Sequence, residues 1–257
     1  MKSNPMREAV RRGEVQIGTW VNMVRNPAIL TVLKAAGLDF ARVDMEHASP
    51  SMETMTTMAL LARALDFPIV VRPPEANREW ITRLLDAGVW NLHCPQVDTP
   101  EHAREIVEAS RYSPMGSRGM TGNSPGTDYE SGGTARERLD NANKQVFVTV
   151  MFESGGAFDH LDEIASMDGI DALTLGPTDL AQDLGVFGTP DEQKVIDELR
   201  DRIIEAANKY GKTTAMMVNS LEQARQWKDA GALLLSYSSD VAVLQAGYRE
   251  ALKEIRE

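Results

Sequence analysis

The chain alternates short apolar runs of strand type with longer segments whose apolar residues recur at helical spacing. Eight such runs predict strands, and a helical segment follows each of them. Gly37, Gly88, Gly169 and Gly231 each end a predicted helix just before the second, fourth, sixth and eighth strand. Strands joined by helices require a parallel sheet. The predicted strands cover residues 15–23, 40–47, 69–74, 89–97, 146–152, 172–175, 213–218 and 232–237.

Eight βα units within 257 residues predict an α/β fold, the (β/α)₈ TIM barrel, as a single domain over residues 1–257. An open, doubly wound sheet is the alternative, although no Gly-x-Gly-x-x-Gly motif follows the first strand. The pattern is interrupted by a Gly-rich loop insertion around residues 113–143. Within it, residues 116–133 are predicted to form a mobile cover or an inter-subunit loop, against the alternative of an insertion without a role.

Charge and cysteine content narrow the range of functions. The chain has 27 Lys and Arg against 38 Asp and Glu, a net charge of −11, which disfavours binding to nucleic acid or to an anionic membrane. The single cysteine, Cys94, allows no internal disulfide and is expected to be a small core residue. No apolar signal segment or membrane-spanning run is evident, so the cytoplasm is the expected location.

Polar residues follow the apolar strands at the edge where parallel strands end. The second strand ends in Asp44-Met45-Glu46-His47, and the third ends in Arg72-Pro73-Pro74. In a barrel of this kind, the carboxyl ends of the strands carry the chemistry. His47 is either a general base beside a carboxylate or a surface histidine. Arg72 either stabilises an oxyanion or pairs with Asp44 or Glu46.

Two further carboxylates follow the fifth and sixth strands, which are neighbours in the predicted barrel. Glu153 and Asp179 could share one divalent cation, with water and substrate oxygens completing its coordination. All-oxygen ligation favours Mg²⁺ or Mn²⁺, with Co²⁺ as a further candidate. The alternative is that both are solvated charges or that one pairs with an arginine. Asp86, at a predicted helix end, has no evident role from the pattern alone.

Taken in order, several short motifs resemble the HpcH/HpaI family of metal-dependent, class II 2-oxo acid aldolases. The resemblance covers nearly the whole chain. Each motif is weak alone, and their order and spacing carry the signal. The matching stretches are residues 18–20, 44–47, 71–73, 84–88, 111–119, 153, 169–172, 176–180 and 185.

The resemblance implies a pyruvate aldolase that cleaves or forms a 4-hydroxy-2-oxo acid. It implies that Glu153 and Asp179 hold the metal and that Gly176, Thr178 and Asp179 bind the substrate carboxylate. His47 would be the acid/base, oriented by Asp44 and made more basic by Asp86, and Arg72 would stabilise the enolate. The partners implied are a 2-oxo acid and an aldehyde, and the oligomer implied is a homohexamer.

One position departs from the family. Members usually carry Gln two residues before the metal-binding Glu, and this chain has Met151, which cannot replace the hydrogen bond of an amide. Two alternatives to the aldolase therefore stay open. One is another carbon–carbon lyase, such as an oxaloacetate decarboxylase, and the other is a non-catalytic protein that binds an oxo acid.

Overall fold

The strands form one closed parallel barrel. The structure is a computed structural model that describes residues 2–121, 123–130 and 132–256. Each strand pairs in parallel with the next, and the eighth pairs with the first. The predicted (β/α)₈ fold is therefore confirmed, and the open sheet is excluded. The strands are β1 (Gln16–Val21), β2 (Phe40–Asp44), β3 (Ile69–Arg72), β4 (Asn91–Cys94), β5 (Phe147–Phe152), β6 (Ala172–Leu175), β7 (Thr213–Val218) and β8 (Leu234–Ser239).

Helices connect the strands, and two further helices lie before β1 and in the long connection before β5. Gly37, Gly88 and Gly231 have positive φ directly after helices, as expected for residues that end a helix. The described helices are α1 (Pro5–Arg11), α2 (Ile29–Ala35), α3 (Met52–Ala64), α4 (Arg78–Asp86), α5 (Pro100–Ser110), α6 (Ala135–Gln145), α7 (Leu161–Ser166), α8 (Pro177–Asp183), α9 (Glu192–Lys209), α10 (Leu221–Asp229) and α11 (Asp240–Arg256). None of these helices is both long and apolar enough to cross a bilayer.

Three helices were not predicted from the hydrophobic pattern. α1 and α8 have only seven residues each, too few for the pattern to show a period. α6 buries only Ala142 and Asn143, so it has almost no apolar stripe. Its beginning is nevertheless marked in the sequence, because Thr134 and Glu137 form a reciprocal capping box.

The end of the barrel where the strands begin is closed by apolar side chains and by α1. Met6 of α1 is fully buried against a layer of strand residues that point inwards. This layer excludes water from the end of the barrel where the strands begin. Its strand members are Phe40, Val70, Phe147, Ala172, Ala215 and Leu234.

A buried cation occupies the middle of the barrel. Arg42 contacts Nδ1 of His93 through Nη1, and its Nε atom has no hydrogen-bond partner. Burial, followed by the charges of Arg42 and Arg72, holds the pKa of His93 well below its ordinary value, so the ring is a neutral acceptor. Two guanidinium groups approach the ring of Trp20, that of Arg42 at 5.1 Å and that of Arg72 at 4.8 Å from the ring centroid.

The Gly-rich segment packs at the end of the barrel where the strands begin. Nε1 of Trp90, one residue before β4, donates to the carbonyl of Gly126 over 3.2 Å. Asp128 pairs with Arg63 at the end of α3. Gly126 and Asp128 therefore lie at the end of the barrel opposite the strand ends, and a role for residues 116–133 as a mobile cover or an inter-subunit loop stays a prediction. Residues 122 and 131 lie outside the described part of the chain.

The last helix, α11, is almost entirely exposed. Every described residue after Val241 is exposed, including Tyr248 at 68% and Ile255 at 77%. On the outer face of the neighbouring strands β1 and β8, Ile17 and Tyr237 are also exposed, at 44% and 36%. Within one chain, the eighth covering helix of the barrel therefore leaves its apolar residues in solvent.

Candidate functional site

Six of the predicted site residues line a cavity of about 470 Å³ at the rim where the strands end, while Glu153 lies beside its wall and Asp86 lies elsewhere. The cavity has polar groups from β2, β3 and α8 and apolar walls from Trp20, Met151 and Met217. This placement agrees with the prediction that the chemistry lies at this rim. The lining residues that the sequence singled out for chemistry are Asp44, His47, Arg72, Gly176, Thr178 and Asp179.

Arg72 is held by two carboxylates from the end of β2 and the turn after it. Its Nε and Nη2 donate to the two oxygens of Asp44 over 2.9 and 2.7 Å, and its Nη1 lies 2.9 Å from Oε2 of Glu46. The bidentate contact fixes the plane of the guanidinium. Both predictions for Arg72 are compatible, because a residue locked by Asp44 and Glu46 still lines the cavity.

His47 reaches the cavity from the turn after β2, and its side chain is 63% exposed. Asp44 accepts from the backbone N–H groups of Glu46 and His47, over 3.0 and 3.4 Å, and so shapes the turn. The carboxylate nearest to the imidazole is that of Glu46, with Oε2 3.7 Å from Nε2. Asp44 therefore contacts the backbone of His47 and Glu46 is the neighbour of its ring, and an orienting role of Asp44 stays a prediction.

Glu153 is a mostly buried carboxyl group near two other carboxylates, Glu46 and Asp179. Burial raises the pKa of Glu153 to about 7; the N–H of Gln96, donating over 2.6 Å, opposes this, and the charges of Glu46 and Asp179 add to it. A buried carboxylate near two others is the arrangement that a hard cation neutralises. Among residues 2–121, 123–130 and 132–256, no group of three or more His, Cys, Asp or Glu could hold a metal. The donor set of two carboxylates fits a cation that takes its remaining ligands from water and substrate.

Gly176 leaves room for the carboxylate of Glu153. A Cβ atom at this position would stand 2.7 Å from Oε2 of Glu153 and 3.2 Å from Cε of Met151. Any larger residue would therefore displace the candidate metal ligand. Thr178 and Asp179 follow in the first turn of α8, with exposed side chains at the cavity.

Asp86 lies away from this cavity. It is the last residue of α4, which runs from the rim back to the start of β4, and it accepts from Nη2 of Arg118 over 2.6 Å. One chain therefore cannot bring Asp86 to His47. The effect on the basicity of His47 that the resemblance implies would require Asp86 of a second copy of the chain, and it stays a prediction.

The seam between β8 and β1 holds a residue that the sequence did not single out as functional. Asp240, 8% exposed, accepts four backbone N–H groups: Oδ1 from Asn22 and Val241 over 3.0 and 2.8 Å, and Oδ2 from Met23 and Val24 over 3.0 and 2.9 Å. It ties the start of α11 to the turn after β1, and Asn22 in that turn lines the cavity. The only sequence signal was an Asp at a strand-to-helix junction.

The matching family model covers residues 16–245 and describes the HpcH/HpaI aldolase/citrate lyase family. The chain belongs to this family. A curated relative, the 5-keto-4-deoxy-D-glucarate aldolase of Escherichia coli O139:H28, is 32% identical over 246 residues, which is 95% of this chain and 93% of the relative. As a member of the HpcH/HpaI family with an aldolase relative, the chain is a carbon–carbon lyase.

Solved structures of HpcH/HpaI proteins share the fold over almost the whole chain. The HpcH/HpaI aldolase from Desulfitobacterium hafniense DCB-2 is 30% identical with a TM-score of 0.91, covering 98% of this chain and 96% of that one. A family protein from Burkholderia cenocepacia J2315 is 31% identical with a TM-score of 0.88, covering 99% and 100%. The resemblance seen in the motifs is therefore confirmed.

Proposed function

We propose that the protein is a metal-dependent aldolase that joins pyruvate to an aldehyde, or cleaves the resulting 4-hydroxy-2-oxo acid. The observation that carries this proposal is that Asp179, Arg72 and His47 line one cavity and that Glu153 lies beside its wall, close enough to Asp179 and Arg72 for their charges to act on its pKa. Carboxylates supply a cation site, a guanidinium supplies fixed positive charge, and an exposed imidazole can exchange protons with a ligand.

Each residue has a role that follows from its position. Glu153 and Asp179 would hold Mg²⁺ or Mn²⁺, which supplies Lewis acidity toward the keto oxygen when bound. His47 removes a proton from the methyl carbon and later returns one to the new alkoxide. Arg72 donates to the oxygen that gains negative charge, and Asp44 keeps it aligned. Gly176 and Thr178 border the side of the cavity where the substrate carboxylate binds.

The proposal is tested by pyruvate release from a 4-hydroxy-2-oxo acid, coupled to lactate dehydrogenase, before and after exhaustive chelation. We expect chelation to abolish activity and Mg²⁺ or Mn²⁺ to restore it. Exchange of the pyruvate methyl protons in D₂O, followed by NMR, reports the enolate step separately. Activity that survives metal removal contradicts the proposal, turnover of oxaloacetate alone indicates a decarboxylase, and pyruvate binding without exchange indicates a non-catalytic binder.

We further propose a homo-oligomer in which α11 packs against a second copy of the chain; the resemblance implies a hexamer. The helix has 17 residues, about 26 Å, with a continuous apolar stripe. If half its surface is covered, two reciprocal contacts bury roughly 1,600 Å², the size of a standard stable interface. The stripe is formed by Leu244, Tyr248, Leu252 and Ile255.

Polar substitutions on this stripe test the interface. We expect the pair Leu244→Gln and Ile255→Gln to shift the protein towards monomer, because each change removes an apolar contact with the second copy. The matched control, Arg249→Gln with Lys253→Gln, changes the opposite face of the same helix and should leave the assembly intact. Sedimentation velocity measures both. Unchanged assembly of the stripe variant would rule out α11 as the interface.

A further inference from the structure

The cavity has two walls of different chemistry. In the barrel order β5, which Glu153 follows, lies opposite β1, and β6, which leads to Asp179, is separated from β8 by one strand. His47 and Arg72 come from β2 and β3 between them. If pyruvate occupies the side with the metal carboxylates, the seam wall faces the other half of the substrate. The inference below therefore rests on the proposed function.

The seam wall carries a local irregularity that turns a side chain towards the cavity. Gly18 pairs with Ser236, but Trp20 pairs with Ser239, so β8 has one more residue than β1 across this step. Ser238 takes φ +56°, an unusual conformation for a residue other than glycine. Bulges of this kind redirect side chains beside active sites, and Ser238 lines the cavity.

Two neutral polar groups of this wall are available to a ligand. No hydrogen bond in the described chain involves the side-chain amide of Asn22 or the hydroxyl of Ser238, and both residues line the cavity. The neighbouring Ser239 hydroxyl is already used, because it accepts from the N–H of Ala242. An amide and a hydroxyl together donate to and accept from substrate hydroxyl groups.

Fixed positive charge is scarce at this cavity. Among the described residues that line it, Arg72 is the one lysine or arginine, and Asp44 and Glu46 already neutralise it. Arg42 is buried beneath and does not line the cavity. A second carboxylate on the aldehyde half would therefore meet no free cation from this chain.

We propose that Asn22, whose turn Asp240 holds, and Ser238 form the subsite for the aldehyde half of the substrate and select a neutral, hydroxylated aldehyde. Asp240 is a positioning residue, since its carboxylate holds the turn that carries Asn22 through three backbone N–H groups and touches no ligand itself. This assigns specificity to the β8–β1 seam and activation of pyruvate to the opposite wall.

The test compares two aldehydes of equal length with pyruvate as the donor. D-glyceraldehyde is neutral, and tartronate semialdehyde carries a carboxylate in place of the terminal hydroxymethyl group. For the unmodified enzyme we expect kcat/KM for glyceraldehyde to exceed that for tartronate semialdehyde by about tenfold or more. A preference for the carboxylated aldehyde would overturn the assignment.

Variants separate the subsite from the pyruvate side. We expect Asn22→Ala, Ser238→Gly and Asp240→Asn to raise KM for glyceraldehyde about tenfold, while methyl proton exchange of pyruvate stays within about twofold. Asn22 and Ser238 are not buried, so their variants remain informative if Asp240→Asn folds poorly. Asp39→Asn is the matched control, because Asp39 accepts from the N–H of Ile17 at the other end of β1 over 2.8 Å.

The outcomes are distinguishable. Unchanged KM in the Asn22 and Ser238 variants, or loss of proton exchange in parallel with the rise in KM, would overturn the subsite. Absence of proton exchange in the unmodified enzyme with metal would instead overturn the proposed aldolase function.

Discussion

Replacing Glu153 with Gln is expected to abolish catalysis while stabilising the metal-free protein. The variant loses a carboxylate ligand, and because a Lewis acid supplies several kcal/mol of barrier lowering, kcat should fall by roughly a thousandfold or more. The stability effect has the opposite sign, because burial raises the pKa of this carboxyl to about 7. At pH values above 7 the carboxyl is ionised in a buried site that disfavours its charge, and this destabilises the folded state.

The sign follows from the two protonation states. The folded pKa of Glu153 lies above its ordinary value of 4.5, so the unbound protein gains stability as pH falls from above 7 towards 4.5. We expect Glu153→Gln to melt above the unmodified protein at pH 8 without metal, and the difference to shrink at pH 5.5. Thermal melts with and without Mn²⁺ measure both effects, and only the unmodified protein should gain stability from the metal.

Equal melting temperatures of the two proteins at pH 8 would show that Glu153 is not the strained group. Asp183→Asn is a suitable control, because Asp183 is a nearby carboxylate whose Oδ2 is already used by the N–H of Gly155 over 2.7 Å. It should bind metal and retain activity.

Arg72→Lys is expected to lower kcat by roughly 10²–10³-fold although the charge is kept. Lysine cannot reproduce the planar, two-point contact with Asp44 while also reaching Glu46. The cation is then misplaced relative to the oxygen that becomes negative. Methyl proton exchange of pyruvate should fall with kcat, because the same oxygen carries the charge in both measurements.

Arg83→Lys is the matched control for this substitution. Arg83 pairs with Glu79 on the exposed face of α4 at 3.3 Å, and its side chain is half exposed. An exposed pair contributes little, so activity and stability should stay unchanged. If Arg72→Lys retained full exchange activity, Arg72 would serve only to balance Asp44 and Glu46.

The barrel could be predicted from sequence because its strands leave a regular apolar signal. The groups at the rim could also be predicted, since Asp44, Arg72, Glu153 and Asp179 each come at or just after the end of a strand. A residue directly after a strand in a parallel barrel has little freedom of position. This geometric constraint makes the prediction independent of long-range contacts.

Other features depend on contacts that no local pattern records. Asp240 acts on backbone groups more than two hundred residues earlier in the chain. Asp86 looked like a site residue by motif, but the direction of α4 carries it to the other end of the barrel. The Gly-rich segment is located by Trp90 and Arg63, whose side chains gave no sign of that role.

The position of Trp20 allows its intrinsic fluorescence to report ligand binding at the cavity. Its ring is approached by two guanidinium groups and borders the cavity. The emission of an indole depends on the charges beside it, so a ligand that draws Arg72 towards itself alters the fluorescence of Trp20. The other three tryptophans, Trp80, Trp90 and Trp227, do not line the cavity. Occupancy can therefore be followed by ultraviolet emission without attaching a dye.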